Sequence, residues 1–223
     1  MADGATFHDD GAILLKVKKR YERWREHVDE RLTSEDRLLL RHAINVRKPI
    51  SILDVGCGYG RIMELLKKER KCDFIVGLDI AESLLKRAKR ISNSDVILAS
   101  LTHLPFRDKA FDVCLCIYGP LNHVPLLLGG LRELARVCKW RLVFSLYNKF
   151  HIYYMLSHVK HRIIRGTFFS RAYHIRDVMK ALDELGLKLV FWRGQILGSL
   201  GLHTFAKLIA IVADVPLKKR PLR

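Results

Sequence analysis

Three glycines at alternate positions, Gly56, Gly58 and Gly60, follow a short apolar run over residues 50–55. This order predicts a buried strand, then a tight loop, then the start of a helix. Glycine has no Cβ, so it allows positive φ angles and a close approach of the backbone to a ligand. A loop of this kind at a helix start offers backbone N–H groups to a nucleotide-like ligand.

The spacing of these glycines argues against a dinucleotide. A dinucleotide-binding loop has the pattern G-x-G-x-x-G, which would require a third glycine at position 61 or 63. The chain has Arg61 and Met63 at those positions. The chain therefore lacks the third glycine that lets the helix pack closely against a pyrophosphate, and this absence disfavours NAD and FAD as ligands.

Asp79 is a second candidate for ligand binding. It lies near the end of the apolar run Phe74–Ile80, which predicts another buried strand. A carboxylate at the carboxyl end of a parallel strand can accept hydrogen bonds from both hydroxyls of a ribose, and such charge-assisted pairs are strong. We therefore expect Asp79 to bind the ribose of the ligand.

The loop at residues 117–125 follows the fourth predicted strand and contains the candidate catalytic residues Tyr118 and His123. Imidazole titrates at about pH 6.5, which suits His123 to act as a base. The alternative for His123 is a structural histidine that hydrogen-bonds the loop backbone or lines the pocket. Tyr118 could place its ring edge or its hydroxyl beside a reacting group, or it could be a core residue.

The D-x-G-x-G-x-G run at Asp54–Gly60 resembles motif I of the class I S-adenosylmethionine-dependent methyltransferases. Residues 99–106 and 110–113 are similar to two later segments of that family, with Ser100 where the family has an acid that holds the adenine amino group. The similarity covers residues 20–215 and is to the branch that methylates quinones and other small molecules. It implies S-adenosylmethionine as the cofactor, and as its binding residues Asp54, Gly56, Cys57, Gly58, Gly60, Asp79, Ile80, Ser100, Leu101 and Tyr118.

The resemblance also implies in-line transfer of a methyl group to a small or lipid-like acceptor, with His123 and Tyr118 as the catalytic residues. Members that methylate nucleobases or glutamine carry N-P-P-Y or D-P-P-Y in this loop, whereas this chain has the tetrapeptide Tyr118–Leu121. That difference argues against such acceptors. Two alternatives remain open: an RNA or tRNA methyltransferase, and a non-catalytic cofactor-binding scaffold protein.

The charge of the chain is strongly positive. Lysine and arginine number 40 against 23 aspartates and glutamates, a formal net charge of +17. Such an excess favours a polyanionic partner such as RNA or an acidic membrane surface. The basic residues are spread along the chain without a recognised nucleic-acid-binding module, so a merely solvated charged surface is an equal alternative. Residues 148–172 interleave aromatic with basic side chains, which is typical of a substrate lid or a membrane-surface contact.

Composition indicates the broad class of the protein. The chain has 223 residues, 49% of them hydrophobic, which suits one compact domain. No apolar stretch reaches the roughly 18 residues of a membrane-spanning helix, and residues 1–11 lack the core of a secretory signal, so we expect a cytoplasmic protein. The five cysteines lack C-x-x-C spacing and are expected to be buried free thiols. The histidines after residue 150 lack the ligand spacing of a metal site.

The elements that must position these residues alternate between strand and helix patterns. This alternation predicts an α/β fold with a parallel sheet and helices on both faces. The resemblance implies that it is the Rossmann-like class I methyltransferase fold, with a mostly parallel seven-stranded sheet and a C-terminal antiparallel hairpin. Within one domain, 1–223, we expect a helical cap at 1–46, a cofactor-binding core at 47–147, a helical insertion at 148–172, and a helix with closing strands at 173–223. The predicted strands are 51–55, 74–79, 95–98, 111–117, 141–146, 187–192 and 203–212; the main predicted helices are 60–69, 82–91, 126–138 and 175–185.

Overall fold

The computed structural model describes residues 37, 39–41, 44, 50–151, 171–195 and 208–216. Seven strands form one sheet in the order β3-β2-β1-β4-β5-β7-β6. Their bounds are Ser51–Val55 for β1, Phe74–Asp79 for β2, Asp95–Leu98 for β3, Phe111–Cys116 for β4, Cys138–Tyr147 for β5, Lys188–Gln195 for β6 and Leu208–Asp214 for β7.

The first five strands run parallel, and β7 is antiparallel to both β5 and β6. The carboxyl ends of β1 to β5 therefore lie at one edge of the sheet. The chain leaves β1 toward β2 on one side and reaches β4 on the other, so the order reverses between β1 and β4. Ligands of open α/β sheets bind at such a switch point, just beyond the carboxyl ends of the strands.

Four α-helices connect the strands that the structure describes. They are α1 (Arg61–Lys68), α2 (Glu82–Ser92), α3 (Leu127–Val137) and α4 (Ile175–Glu184), and a short 3-10 helix covers Pro120–His123. Each α-helix buries one apolar face; in α1 this face consists of Ile62, Met63, Leu65 and Leu66. Residues 37 and 39–41 are also helical, within the helical cap predicted for 1–46.

The two faces of the sheet carry two separate apolar cores, because side chains alternate along each strand. Leu53 of β1 belongs to the core that contains α3 and α4, whereas its neighbour Ile52 belongs to the core that contains α1 and α2. Cys114 and Cys116 share one face, as predicted. All five cysteines are free thiols, and four of them are buried, Cys72 being half-buried.

The structure confirms the predicted fold class and the order of elements, with differences in the last strands. β5 begins three residues earlier than predicted, because the ammonium of Lys139 pairs with the Asp112 carboxylate of β4 at 2.9 Å and Arg141 pairs with Asp214 of β7 at 2.8 Å. These polar residues obscure the apolar alternation of a strand. β7 ends at Asp214, two residues later than predicted.

Some predicted segments lie outside the described residues. They are most of the helical cap predicted for 1–46, residues 152–170 of the predicted insertion, and the start of the last predicted strand at 203–207. In the described part of the chain, no helix has the length and apolar character needed to cross a membrane.

Candidate functional site

The glycine loop after β1 curls over the end of β2. The backbone N–H groups of Gly56 and Cys57 both donate to the carbonyl oxygen of Leu78, at 2.6 and 3.1 Å. Gly56 has a φ of +75°, and a Cβ built there would lie 2.1 Å from Cγ of Pro120. Glycine is therefore required at this position, because Pro120 of the loop after β4 packs directly against the glycine loop.

Gly58 lies beside open space. Its φ is +56°, and a Cβ built there would have no protein atom within 4 Å. Gly60, at φ +87°, precedes α1 and packs against Ala88 of α2, where a Cβ would approach to 2.9 Å. Packing thus explains Gly56 and Gly60, whereas the space beside Gly58 fits a close approach of a ligand to the backbone.

Asp79 closes this loop from the end of β2. Its Oδ2 accepts a hydrogen bond from the N–H of Gly58 at 2.9 Å, and its Oδ1 accepts one from the N–H of Ala81 at 2.9 Å. Burial raises the pKa of this carboxyl above its usual range, against the lowering effect of the backbone hydrogen bonds. Each carboxylate oxygen can accept more than one hydrogen bond, so the ribose role stays a prediction compatible with this geometry.

Asp54, at the end of β1, is a buried carboxylate. It is 3% exposed, and its Oδ2 has no hydrogen-bond partner. The pKa of Asp54 is raised to about 7, mainly by burial and also by the nearby Asp79, against the lowering effect of Arg61. An unsatisfied buried acceptor is costly, which makes this oxygen a fitting partner for a positively charged ligand group.

Tyr118 begins the loop after β4 in a strained conformation. Its φ is +66°, although it is not glycine. The Ser145 hydroxyl on β5 accepts a hydrogen bond from the Tyr118 N–H at 2.7 Å, and the Arg61 guanidinium lies 4.8 Å from the centre of the Tyr118 ring. Such strain costs about 1–3 kcal/mol and is typical of functional sites, because the surrounding contacts must hold it.

His123 ends the 3-10 helix and is 4% exposed, with its ring edge-to-face to Tyr147 at 6.3 Å. The fully buried Asn122 fixes this helix. Its Oδ1 accepts a hydrogen bond from the Tyr147 N–H at 3.2 Å, and its Nδ2 donates to the carbonyl of Arg171 at 2.5 Å. The structure thus brings Tyr118 and His123 together with the carboxyl end of β5.

The remaining predicted residues occupy different environments. The hydroxyl of Ser100 lies 2.9 Å from that of Thr102, in a turn after β3. The side chain of Leu101 is 6% exposed and packs in the core. Ile80 is half-buried. The thiol of Cys57 is buried, and burial raises its pKa well above the usual range.

Four residues of this edge were missed by the sequence analysis: Arg61, Asn122, Ser145 and Tyr147. Ser145 and Tyr147 alternate at the carboxyl end of β5, which is a signal that the sequence did contain. The hydrogen bonds of Asn122 and the contact of Arg61 with the Tyr118 ring join segments that are distant in sequence, so no local sequence pattern predicts them. His174 caps α4 by accepting a hydrogen bond from the Arg176 N–H.

Residues 52–141 match the family described as "Methyltransferase domain". Over these residues the chain is therefore similar to methyltransferase domains. The matched residues run from β1 into β5, so they include the glycine loop, Asp79 and the loop after β4. The methyl donor of this family is S-adenosylmethionine, and the residues described above fit it: the open space at Gly58 suits its nucleoside, and the unsatisfied Asp54 suits a cation.

Individual similar proteins span different shares of their own length. The chain is 30% identical to the protein MJ1252 of Methanocaldococcus jannaschii over 73% of this chain and 62% of that protein. It thus spans less than two thirds of this relative. It is 25% identical to the demethylmenaquinone methyltransferase of Listeria welshimeri over 72% of this chain and 74% of that enzyme.

A solved methyltransferase structure shares the fold of this chain. It is the magnesium protoporphyrin IX methyltransferase of Synechocystis PCC 6803 with bound S-adenosylhomocysteine, which has a TM-score of 0.68 and 16% sequence identity. The similarity covers 93% of this chain and all of that chain.

Proposed function

We propose that this chain transfers a methyl group from S-adenosylmethionine to a small or lipid-like acceptor. The observation that carries the proposal is the buried Asp54 carboxylate with an oxygen that has no partner, on the strand that leads into the open glycine loop. A cationic cofactor supplies the missing partner. When bound, the cofactor supplies a methyl group already activated on a sulfonium, so the protein mainly has to bind, align and exclude water.

The cofactor side of the site consists of the loops after β1, β2 and β3. The Gly58 backbone lets the cofactor approach, and the Asp79 carboxylate accepts the ribose hydroxyls while it holds the Gly58 N–H. Asp54 accepts from the cationic end. Ser100 offers a hydroxyl in place of the acid that binds adenine in the family, which supports a weaker, uncharged contact there.

The acceptor side consists of the loop after β4. Tyr118 is held at a strained φ beside Arg61, and the His123 ring lies edge-to-face to Tyr147, so both rings contact neighbouring elements. In the proposal Tyr118 shapes the space next to the transferred methyl group, and His123 removes a proton from acceptors that must lose one. The similarity to demethylmenaquinone methyltransferases supports a lipid-like acceptor.

Incubation with radiolabelled S-adenosylmethionine tests this proposal. The purified chain is offered separate extracts of small metabolites, lipids and total RNA. Label in the metabolite or lipid extract is the expected result, and label in RNA would support an RNA methyltransferase instead. Binding of the cofactor without transfer to any extract would support a scaffold protein. If a His123→Gln variant transferred label at the wild-type rate, His123 would not be the base.

Asp79→Ala is expected to weaken S-adenosylhomocysteine binding about ten- to hundred-fold, because charge-assisted hydrogen bonds to the ribose are lost. Titration calorimetry measures the effect. The substitution also frees the Gly58 N–H, so the same titration is repeated with a 3′-deoxyribose analogue of the ligand. If Asp79 binds the ribose, the deoxy analogue binds more weakly than the parent to the wild type and about equally to the variant.

Asp112→Ala is the matched control for Asp79→Ala. Asp112 also accepts a hydrogen bond from a backbone N–H, that of Ser51 at 2.8 Å, but it lies at the amino end of β4. The control is expected to lower the melting temperature while changing ligand affinity less than three-fold. Equal losses in the two variants would mean that Asp79 acts through the fold alone.

RNA methylation is the second candidate, and a group of basic side chains favours it. Six exposed side chains gather where α1 and α2 end, and the ammonium of Lys67 binds the carbonyl of Asn93 at 2.6 Å across the two helices. We define this group as the basic helix ends: Lys67, Lys68, Arg70, Lys71, Lys89 and Arg90. It lies at the amino-terminal edge of the sheet, opposite the candidate site, which is why we rank a small acceptor first.

RNA binding at physiological salt is therefore expected to be weak, with a dissociation constant of about 10⁻⁶ M or above, as for non-specific binding. Reversing the charge of Arg70, Lys71, Lys89 and Arg90 is expected to leave methylation of a small acceptor unchanged. Fluorescence anisotropy with a labelled RNA over a range of salt concentrations measures the affinity for RNA. Tight binding with a steep salt dependence that these reversals flatten would favour the RNA candidate.

A further inference from the structure

We propose that Asn122 is a positioning residue for methyl transfer, which holds residues 171–173 against the 3-10 helix that ends in His123. We define residues 171–173 as the strap. The inference rests on the proposed function, since it assigns a residue that acts on the acceptor side of the same site. Its consequence is that transfer to the acceptor depends on Asn122, whereas binding of the cofactor does not.

The strap pairs with the chain at the carboxyl end of β5. The N–H of Tyr173 donates to the carbonyl oxygen of Tyr147 at 2.8 Å, and the N–H of Lys149 donates to the carbonyl oxygen of Tyr173 at 3.0 Å. Asn148 and Tyr173 form a parallel bridge. The strap is therefore a short extended segment at the edge of the sheet where the candidate site lies.

Asn122 connects this strap to the loop after β4. Its backbone carbonyl accepts a hydrogen bond from the N–H of Arg171 at 2.9 Å, and its Nδ2 donates to the carbonyl of Arg171. Its Oδ1 accepts a hydrogen bond from the N–H of Tyr147. The side chain is fully buried, so the strap and β5 both depend on an amide that donates and accepts at once.

The position of His123 depends on these contacts, because His123 is the next residue along the chain. Tyr147 is both a hydrogen-bond partner of Asn122 and the ring neighbour of His123. A displacement of about 1 Å of an aligned group can lower a rate about hundred-fold. Among the residues that the structure describes, the Asn122 side chain hydrogen-bonds β5 and the strap, and neither belongs to the loops proposed to hold the cofactor.

Label transfer and calorimetry test the inference together. The wild type first identifies whether the metabolite or the lipid extract accepts label from radiolabelled S-adenosylmethionine, and the variants are assayed with that extract at saturating cofactor. We expect Asn122→Ala to transfer label about ten- to hundred-fold more slowly than the wild type. Its affinity for S-adenosylhomocysteine should stay within three-fold of the wild type. Assays run well below the melting temperatures of the variants, so loss of folded protein does not contribute.

Asn122→Asp adds a pH signature that a purely structural role would not give to the rate. The aspartate keeps the shape of the side chain and the oxygen that accepts from Tyr147. Its ionised form has no donor for the carbonyl of Arg171, whereas its protonated form has one O–H, and burial favours the protonated form. The transfer rate of this variant, divided by the wild-type rate at the same pH, is expected to rise as the pH falls from 8 to 6.

Ser92→Ala is the matched control. Ser92 is also buried, and its hydroxyl donates a hydrogen bond to the carbonyl of Ala88 at 2.8 Å, but it ends α2 at the amino-terminal edge of the sheet. This variant is expected to have a lower melting temperature than the wild type and to change transfer less than three-fold.

The outcomes separate this inference from the proposed function. Wild-type transfer by both Asn122 variants would overturn the role of Asn122 while the proposed function stood. Equal losses of transfer and of S-adenosylhomocysteine affinity would also overturn it, because Asn122 would then act through the cofactor loops or the whole fold. A wild-type protein that transfers label to neither extract would overturn the proposed function and, with it, this inference.

Amide hydrogen exchange of the wild type decides the matter if the Asn122 variants do not fold. Protection of the Arg171 N–H is the expected result, because this group donates to the carbonyl of Asn122. Exchange of this N–H as fast as in an unstructured peptide would contradict the strap.

Discussion

Gly58→Val is expected to abolish detectable binding of S-adenosylhomocysteine while the protein remains folded. A Cβ at this position meets no protein atom within 4 Å, so the added side chain projects into the open space where the ligand would lie. The φ of +56° adds a strain of about 1–2 kcal/mol for a residue other than glycine. Calorimetry measures the affinity, and thermal unfolding measures the strain.

Gly186→Val separates these two effects. Gly186 has a φ of +66° and also no atom within 4 Å of a built Cβ, but it follows α4 and lies before β6, at the opposite edge of the sheet. The melting temperatures of the two variants are expected to fall by similar amounts, since their backbone strain is similar. Only Gly58→Val should lose the ligand. If both variants bound it like the wild type, the glycine loop would not be the cofactor site.

The sequence predicted well those features that depend on local pattern. The alternate glycines and the apolar runs predicted β1, β2 and the loop between β1 and α1, because burial and positive φ angles select residue types at fixed spacing. Asp79 was predicted at a strand end, and the structure places it there against the Gly58 N–H. Parallel pairing of β1 with β2 and β4 then follows from the alternation of strands and helices.

Features that depend on contacts between distant segments could not be predicted in this way. Tyr118 has a positive φ that its residue type does not indicate, because Ser145, 27 positions later, holds its N–H. Asn122 is an ordinary polar residue in the sequence. It holds the loop after β4 only because Tyr147 and Arg171 lie beside it in the folded chain and hydrogen-bond its side chain. Arg61 was considered only as the absence of a glycine, although in the folded chain its charge lowers the pKa of Asp54.

Asp54→Asn is expected to weaken S-adenosylhomocysteine binding at least about ten-fold, because the charge that accepts the ligand ammonium is lost. The wild type should bind more tightly as the pH rises from 6 to 7.5, since only the ionised form of Asp54 attracts a cation and its pKa is about 7. Binding near pH 7 should also release about half a proton, which calorimetry in buffers of different ionisation enthalpy detects. The variant is expected to lose this proton release. If the variant released the same number of protons on binding, the proton would come from a group other than Asp54.

The same substitution should change how the stability of the ligand-free protein depends on pH. The pKa of Asp54 is raised from 3.8 to about 7 on folding, so the folded state binds more protons than the unfolded state between these values. The free energy of unfolding therefore falls as the pH rises through this window. Asp54→Asn removes this contribution, and the decrease in melting temperature from pH 5 to pH 8 should become smaller.

Asp112→Asn serves as the control for this pH dependence, because hydrogen bonds and Lys139 lower the pKa of Asp112. Its titration is therefore complete below pH 5, and the substitution should leave the change between pH 5 and pH 8 as in the wild type. Identical pH profiles of the wild type and Asp54→Asn would contradict the raised pKa. Burial would then not disfavour the ionised form of Asp54, and no cationic ligand would be needed to stabilise it.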